Sequence, residues 1–192
     1  MYHPISPSVR DWVAVVPVDI GVNSGLVWIK SPHGKVNAGD SAGSILKRKG
    51  GARLDWIVKI ERKSYIAARV IYFLSHGEDP ASFTVDHIDR NPLNNNVSNL
   101  RLLTMSRQNC NTKKRSDNTS GCRGVSWHSI GNKWIVQMWY DKKKVYLGCY
   151  SCKLEAATVY NSACSSFYPD LCATMQNDLT KVLCDCSMCS RN

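Results

Sequence analysis

Acidic charge is scarce in this chain. Fifteen Asp and Glu stand against 25 Lys and Arg in 192 residues, a net charge of +10 at pH 7. The shortage is concentrated. Between residues 101 and 150, Arg101, Arg107, Lys113, Lys114, Arg115, Arg123, Lys133, Lys142, Lys143 and Lys144 are opposed only by Asp117 and Asp141. Such a one-signed field draws polyanions, and the aromatics interleaved with it favour a nucleic acid over a merely solvated face. Long apolar runs are also missing. Nothing reaches the roughly 18 residues of a membrane span, so no membrane partner is expected. The first residues, Met1-Tyr2-His3-Pro4-Ile5-Ser6-Pro7, lack the charged start and apolar stretch of a secretion signal. A cytoplasmic, intracellular chain is expected, with its nine cysteines reduced. No internal repeat is found. Without secretion, Asn118-Thr119-Ser120 is a chance match to a glycosylation acceptor.

What remains is ample for folding. The apolar fraction of 43% supports a packed core, with room for one ordinary domain or two small ones. Apolar, β-branched stretches at Trp12–Ile20 and Leu26–Ile29 predict short strands. Gly39–Gly51 reads as a loop. Leu54–Ile60 alternates like a half-buried strand, with Asp55 and Lys59 on its polar face. Glu61-Arg62-Lys63 then turns into Tyr65–Ala67. Ala68–His76 predicts a helix stopped by Gly77 and Pro80. Thr84–His87 and Leu100–Leu103 predict two strands around a loop holding Asn91, Asn94, Asn95, Asn96 and Asn99. Asparagine side chains bond loop backbone, so that loop is expected to be rigid. Thr104 is placed to cap a helix from Met105.

Lys113–Gly121 is polar and reads as a linker. Beyond it, Arg123–His128, Lys133–Tyr140 and Lys144–Cys149 predict three strands, with Gly131-Asn132 and Asp141-Lys142 in the turns. Lys153–Ser166 predicts a helix on one sheet face, with Ser151 as its cap. The tail, 177–192, has no readable period.

One constellation carries chemistry. Asp86 and His87 sit side by side at a strand end, and the amide of Asn109 follows 22 residues after the histidine. A carboxylate and an amide oxygen suit Mg²⁺ or Mn²⁺ rather than Zn²⁺. A metal on the scissile phosphate and the 3′ leaving oxygen would stabilise developing charge. An imidazole, with an ordinary pKa of about 6.5, can take a proton from water at pH 7. Phosphodiester hydrolysis is the reaction such a set suits.

Asp86-His87-Ile88-Asp89, Asn91, Asn94-Asn95, Asn99-Leu100-Arg101, Thr104 and Asn109 resemble the motif of the HNH (ββα-metal) nucleases, notably the phage and intron-encoded homing branch. The resemblance implies that Asp86 binds metal, that His87 activates water, that Asn99 is the catalytic-centre asparagine fixing the loop, and that Asn109 is the second metal ligand. The step from Thr104 to Asn109 is one residue longer than usual. Either the helix starts one residue late, or Gln108 takes the place of Asn109. Ser64–Pro80 resembles the strand and helix that usually precede this motif, except that Ala68 stands where the family often has histidine.

Further on, Cys122-Arg123-Gly124-Val125, Lys133-Trp134, Tyr146-Leu147-Gly148, Glu155-Ala156-Ala157, Tyr160-Asn161 and Ala163 resemble the Apetala/ethylene-response-factor DNA-binding domain. That resemblance implies a sheet laid in the major groove, with Arg123, Ser126, His128, Gln137, Trp139 and Tyr146 facing DNA. Arginine can read guanine and glutamine adenine. Lys142, Lys143 and Lys144 would touch phosphates, which position without specifying. Arg101, Arg107, Lys113, Lys114 and Arg115 add to the basic surface. Trp134 is expected in the core.

Cys184, Cys186 and Cys189 cluster in the tail, and Cys149 and Cys152 form a C-x-x-C. Their spacing is too irregular for a standard four-ligand zinc site, so zinc is not expected.

The expected architecture is α+β. A β-rich segment with a short helix spans 1–81, a small ββα-metal nuclease core 82–115, a linker 116–121, a three-stranded antiparallel sheet packed on one helix 122–176, and a cysteine-containing tail 177–192. The expected activity is metal-dependent hydrolysis of double-stranded DNA by a monomer or homodimer, at a site chosen by the C-terminal sheet. The rivals are a DNA-binding regulator with an inactive nuclease fold and a structural zinc protein.

Overall fold

A computed structural model of the chain describes residues 4–47, 54–112, 114–184 and 186. Expectations at Met1–His3, Gly50, Gly51, Lys113 and Cys189 lie outside the described residues. The chain divides into two units, Met1–Met105 and Ser106–Asn192.

In the first unit a 3-10 turn over Pro7–Asp11 leads into β1 (Val13–Val15), which pairs antiparallel with β2 (Leu26–Trp28). A three-stranded antiparallel sheet follows in the order β3 (Ser44–Lys47), β4 (Leu54–Ile60), β5 (Lys63–Ile66). Strand β3 corrects the reading of Gly39–Gly51 as loop. All four of its residues are exposed. Its pairing with β4 rests on backbone hydrogen bonds, which leave no apolar pattern in the sequence. The β4–β5 turn is shorter than expected, because Lys63 already belongs to β5. Glu61 and Arg62 occupy it with φ of 48° and 65°, the left-handed pair of a two-residue hairpin.

Helix α1 (Ala67–His76) packs on β1, β4 and β5. Ala67, Ala68, Val70, Ile71 and Phe73 form its buried side, joined by Val9, Val13, Leu26, Val58 and Ile60. Each such aliphatic side chain contributes about 1.5–3 kcal/mol when fully buried. Ala68 therefore serves the core. Asp55, expected on the polar face of β4, is buried too. Gly77 ends α1 in the left-handed region (φ 82°), its N–H donating to the Phe73 carbonyl, the usual glycine stop. Arg69 organises the connection onward: its guanidinium donates to the carbonyls of Ala81 (3.1 Å) and Phe83 (3.0 Å) and pairs with Asp79 (3.3 Å). Strands β6 (Thr84–His87) and β7 (Leu100–Leu103) then form an antiparallel ribbon, and α2 (Met105–Cys110) follows β7 after one residue. This is the expected ββα succession.

The second unit is a sheet in the order β10 (Lys143–Tyr150), β9 (Lys133–Tyr140), β8 (Val125–His128), with α3 (Lys153–Phe167) lying across all three strands. A one-turn helix, α4 (Cys172–Met175), follows. Val125, Val136, Met138, Ala156, Ala157, Tyr160, Cys164 and Leu171 are its buried centre. Strand β8 starts two residues later than expected, because Gly124 sits at φ 69° with the Tyr160 ring packed where a Cβ would go. Only glycine fits there. The cap of α3 is Cys152 rather than Ser151: its sulfur accepts the Glu155 N–H at 3.4 Å. Cysteine is not a usual capping residue, which hid it in the sequence.

Part of the tail is ordered by a reciprocal amide clasp. Asn161 Nδ2 donates to the Asn177 carbonyl (2.9 Å), and Asn177 N–H donates to Asn161 Oδ1 (2.7 Å). Asn177 also exchanges hydrogen bonds with the Arg123 backbone at 2.6 and 3.2 Å. No helix among the described residues is long and apolar enough to cross a membrane.

Candidate nuclease site

The β6–β7 ribbon sets the site. Asp86 lies opposite Arg101 in the register, and His87 opposite Leu100. Cross-strand partners share a face and neighbours alternate. Asp86 therefore meets Arg101: its Oδ2 accepts Nε at 3.0 Å and pairs with Nη2 at 2.9 Å. Both side chains are largely buried. Arg101, expected on DNA, is thus engaged with the expected metal ligand.

His87 is 7% exposed. Its Nε2 lies 2.9 Å from Asn95 Oδ1, and Asn95 Nδ2 donates to the Ser24 carbonyl at 2.9 Å. A backbone carbonyl only accepts, so the amide nitrogen of Asn95 must face Ser24 and its oxygen must face the imidazole. That oxygen in turn only accepts. His87 therefore carries its proton on Nε2, and in the neutral ring Nδ1 is the basic nitrogen. In the sequence Asn95 stood within the motif but had no role of its own. Its bond to Ser24, 71 positions away, is what singles it out.

The loop between the strands is held by Asp89 and Asn99. Asn99 Oδ1 accepts the Asp89 N–H at 3.0 Å, and Asn99 Nδ2 donates to Asp89 Oδ1 (3.0 Å) and to the Asn94 carbonyl (2.8 Å). Asn94 Nδ2 donates to Asp89 Oδ2 at 2.7 Å, and the Asn91 N–H to Asp89 Oδ1 at 2.8 Å. Partial burial pushes the Asp89 carboxyl up. The donors from Asn91, Asn99 and Asn94, with the nearby His87, outweigh that and hold it below the usual carboxylate value. The Asn99 side chain is spent on the loop.

On α2, Gln108 Oε1 is buried with no hydrogen-bond partner among the described residues. A buried amide oxygen left unpaired is costly, and it is the kind of hard donor that Mg²⁺ or Mn²⁺ takes. Asn109 is exposed. It lines a cavity of about 570 Å³ in the second unit together with Arg123, Gln137, Trp139 and Tyr160. Arg107 pairs with Asp170, and Arg115 with Asp117.

The sheet face away from α3 carries Ser126, His128, Gln137, Trp139, Lys144 and Tyr146, by the register of β8, β9 and β10. Trp139 is 59% exposed and Tyr146 58%. Lys142 and Lys143, at the β9–β10 turn, are exposed, as is Lys114. Arg123 is directed elsewhere: its guanidinium donates to the carbonyls of Cys110 and Thr112. His128 Nδ1 accepts the Gly131 N–H at 3.1 Å and so shapes the β8–β9 turn. Trp134 is half-buried, edge-on to Trp127 and beneath Lys153.

Comparison with known proteins bears on the first of these surfaces. The family model described as HNH endonuclease matches residues 65–110. The chain is 38% identical over 64 residues to Protein 3.8 of Escherichia phage T7, an alignment covering 33% of this chain and 53% of that protein. It is 49% identical over 59 residues to an uncharacterized HNH endonuclease of Acanthamoeba polyphaga mimivirus, covering 30% of this chain and 31% of the relative. The chain thus spans about half or less of the curated relatives it matches. No solved structure matches it significantly. Residues 65–110, running from β5 through α2, are an HNH endonuclease domain.

Proposed function

We propose that the chain is a metal-dependent DNA endonuclease that hydrolyses phosphodiester bonds, leaving 5′-phosphate and 3′-hydroxyl ends. The observation that carries this reading is the Ser24–Asn95–His87 chain, which leaves Nδ1 of a buried imidazole as the base, on the residue that follows Asp86 in the strand. In this reading His87 takes the proton of the attacking water. Asn95 and Asn99 are positioning residues: one fixes the tautomer, the other the loop. As the resemblance implies, Asp86 would hold the ion, and an α2 amide, Gln108 or Asn109, would be its second protein ligand. When bound, Mg²⁺ or Mn²⁺ supplies charge stabilisation at the phosphate. Arg101, which pairs with Asp86 in this structure, would have to share that carboxylate with an ion bound there.

The C-terminal sheet is the proposed DNA-binding surface, of the Apetala/ethylene-response-factor type. Its exposed face combines Trp139 and Tyr146 with Gln137 and Lys144, and the turn adds Lys142 and Lys143. With Arg123 tied to Cys110 and Thr112, base reading falls to Gln137 and Trp139, and affinity rests mainly on lysine–phosphate pairing. One site per chain nicks one strand, and a homodimer could cut both.

Supercoiled plasmid with Mg²⁺ tests the reading. Relaxation that EDTA and His87→Ala both abolish is the expected result. The Asp86–Arg101 ion pair favours a second reading, a DNA-binding regulator whose nuclease fold is silent. Plasmid binding without cutting in Mg²⁺ or Mn²⁺ would establish that instead.

A further inference from the structure

The sequence spacing of the cysteines argued against a metal, but the fold changes which sulfurs are neighbours. Cys152, at the start of α3, and Cys184 and Cys186, some thirty positions later, bring their three Sγ atoms within 4.8 Å of one another. Cys152 and Cys184 are 3.5 Å apart, and Cys184 and Cys186 3.2 Å. The described cysteines form no disulfide. A tetrahedral thiolate site with Zn–S bonds of about 2.3 Å has sulfurs about 3.8 Å apart, so this group is already near the size of a ligand set. Cys152 is buried, and Cys184 and Cys186 are half-buried.

A second feature points the same way. The Cys152 sulfur caps α3 and accepts the Glu155 N–H. A helix N-terminus favours negative charge, so this sulfur is held where its thiolate, the ligating form, is stabilised. Sulfur ligands select soft or borderline ions and reject the Mg²⁺ that suits the Asp86 site.

We propose that Cys152, Cys184 and Cys186 form a thiolate site for zinc that pins the segment following Lys181 onto the N-terminus of α3. Binding involves no oxidation. Each thiol gives its proton to solvent as its sulfur takes up the metal. The fourth tetrahedral position is left to water or to another sulfur. Cys149 lies three positions before Cys152.

The test uses the full chain, purified under reducing conditions. One zinc per chain, retained through dialysis against zinc-free buffer, is expected by elemental analysis. Replacement by cobalt(II) should give a sulfur-to-cobalt charge-transfer band. The band should survive Asp86→Ala, which removes the proposed nuclease ligand and leaves the cysteines in place, and Cys172→Ser. It should vanish in Cys184→Ser and Cys186→Ser. Should either serine variant fail to fold, Cys186→His, which can still ligate, is expected to bind cobalt with a weakened band. Zinc far below one per chain, a band that persists in both serine variants, or a Cys184–Cys186 disulfide in the freshly purified protein would overturn the proposal.

Discussion

Asn95 presents its amide oxygen to Nε2 of His87 and its amide nitrogen to the carbonyl of Ser24, both at 2.9 Å. One buried side chain thus ties the candidate base to a segment far away in sequence and fixes which ring nitrogen is protonated. Asn95→Ala removes that bond and leaves the Ser24 carbonyl short of a donor. Cleavage should fall ~10–100-fold, as when other orienting partners of histidine are removed, with plasmid binding retained. In Asn95→Asp a carboxylate faces the ring and favours imidazolium. The acidic limb of the pH–rate profile should then move to higher pH. An unmoved limb would show that His87 is not the titrating base.

Asp89 gives the loop a pH dependence. Its carboxyl is held below the usual value in the folded state. A depressed native pKa stabilises at pH above the unfolded value, about 3.9, and that contribution is lost as pH falls through the native value. Hydrogen-exchange protection of residues 88–99 should therefore be constant near neutrality and decline below about pH 4. Asp89→Asn should start lower and decline less. Equal pH profiles for the two proteins would rule out the carboxylate as the loop's clamp.

Two substitutions decide between Gln108 and Asn109 as the proposed second metal ligand. Gln108 Oε1 is buried without a partner among the described residues, whereas Asn109 is exposed. On that basis Gln108→Ala should raise the Mg²⁺ concentration needed for half-maximal cleavage by about tenfold or more, the scale of removing one well-made charge-assisted bond. Asn109→Ala should change it little. The opposite ranking would return the role to Asn109.

DNA affinity should separate into charge and stacking. Replacing Lys142, Lys143 and Lys144 together with alanine should weaken binding similarly for all sequences. It should also lower the slope of log affinity against log salt by up to about 3, one for each phosphate that a lysine had neutralised. Trp139→Ala should weaken binding with the salt slope kept, because an exposed aromatic contributes stacking area rather than charge. Binding that is indifferent to all four changes would exclude this sheet face as the DNA surface.

The legible parts of the molecule are those where local chemistry and burial agree. Strands β6 and β7 were readable to the residue, since turn-forming asparagines bound them and Val85, Leu100 and Leu103 are buried. Helix α1 was readable from its apolar side and the glycine that stops it. Strand β3 was not, because an exposed strand carries no burial pattern. The role of Asn95 was not, because five loop asparagines offer the same amide and only a distant partner distinguishes one. The cysteine group was hidden for a related reason: its members are neighbours only after α3 has brought Cys152 alongside the tail. Arg101 and Arg123 looked like surface cations, but their guanidinium groups turn inward to Asp86 and to the Cys110 and Thr112 carbonyls.

The amide clasp of Asn161 and Asn177 has a practical meaning for anyone dissecting the chain. A fragment cut just before position 177 would strand the side chain of Asn161 and expose the backbone of Arg123, although every strand and the long helix would be intact. The smallest self-sufficient piece of the sheet–helix unit therefore reaches past its last regular helix, to a residue whose importance no secondary-structure boundary announces.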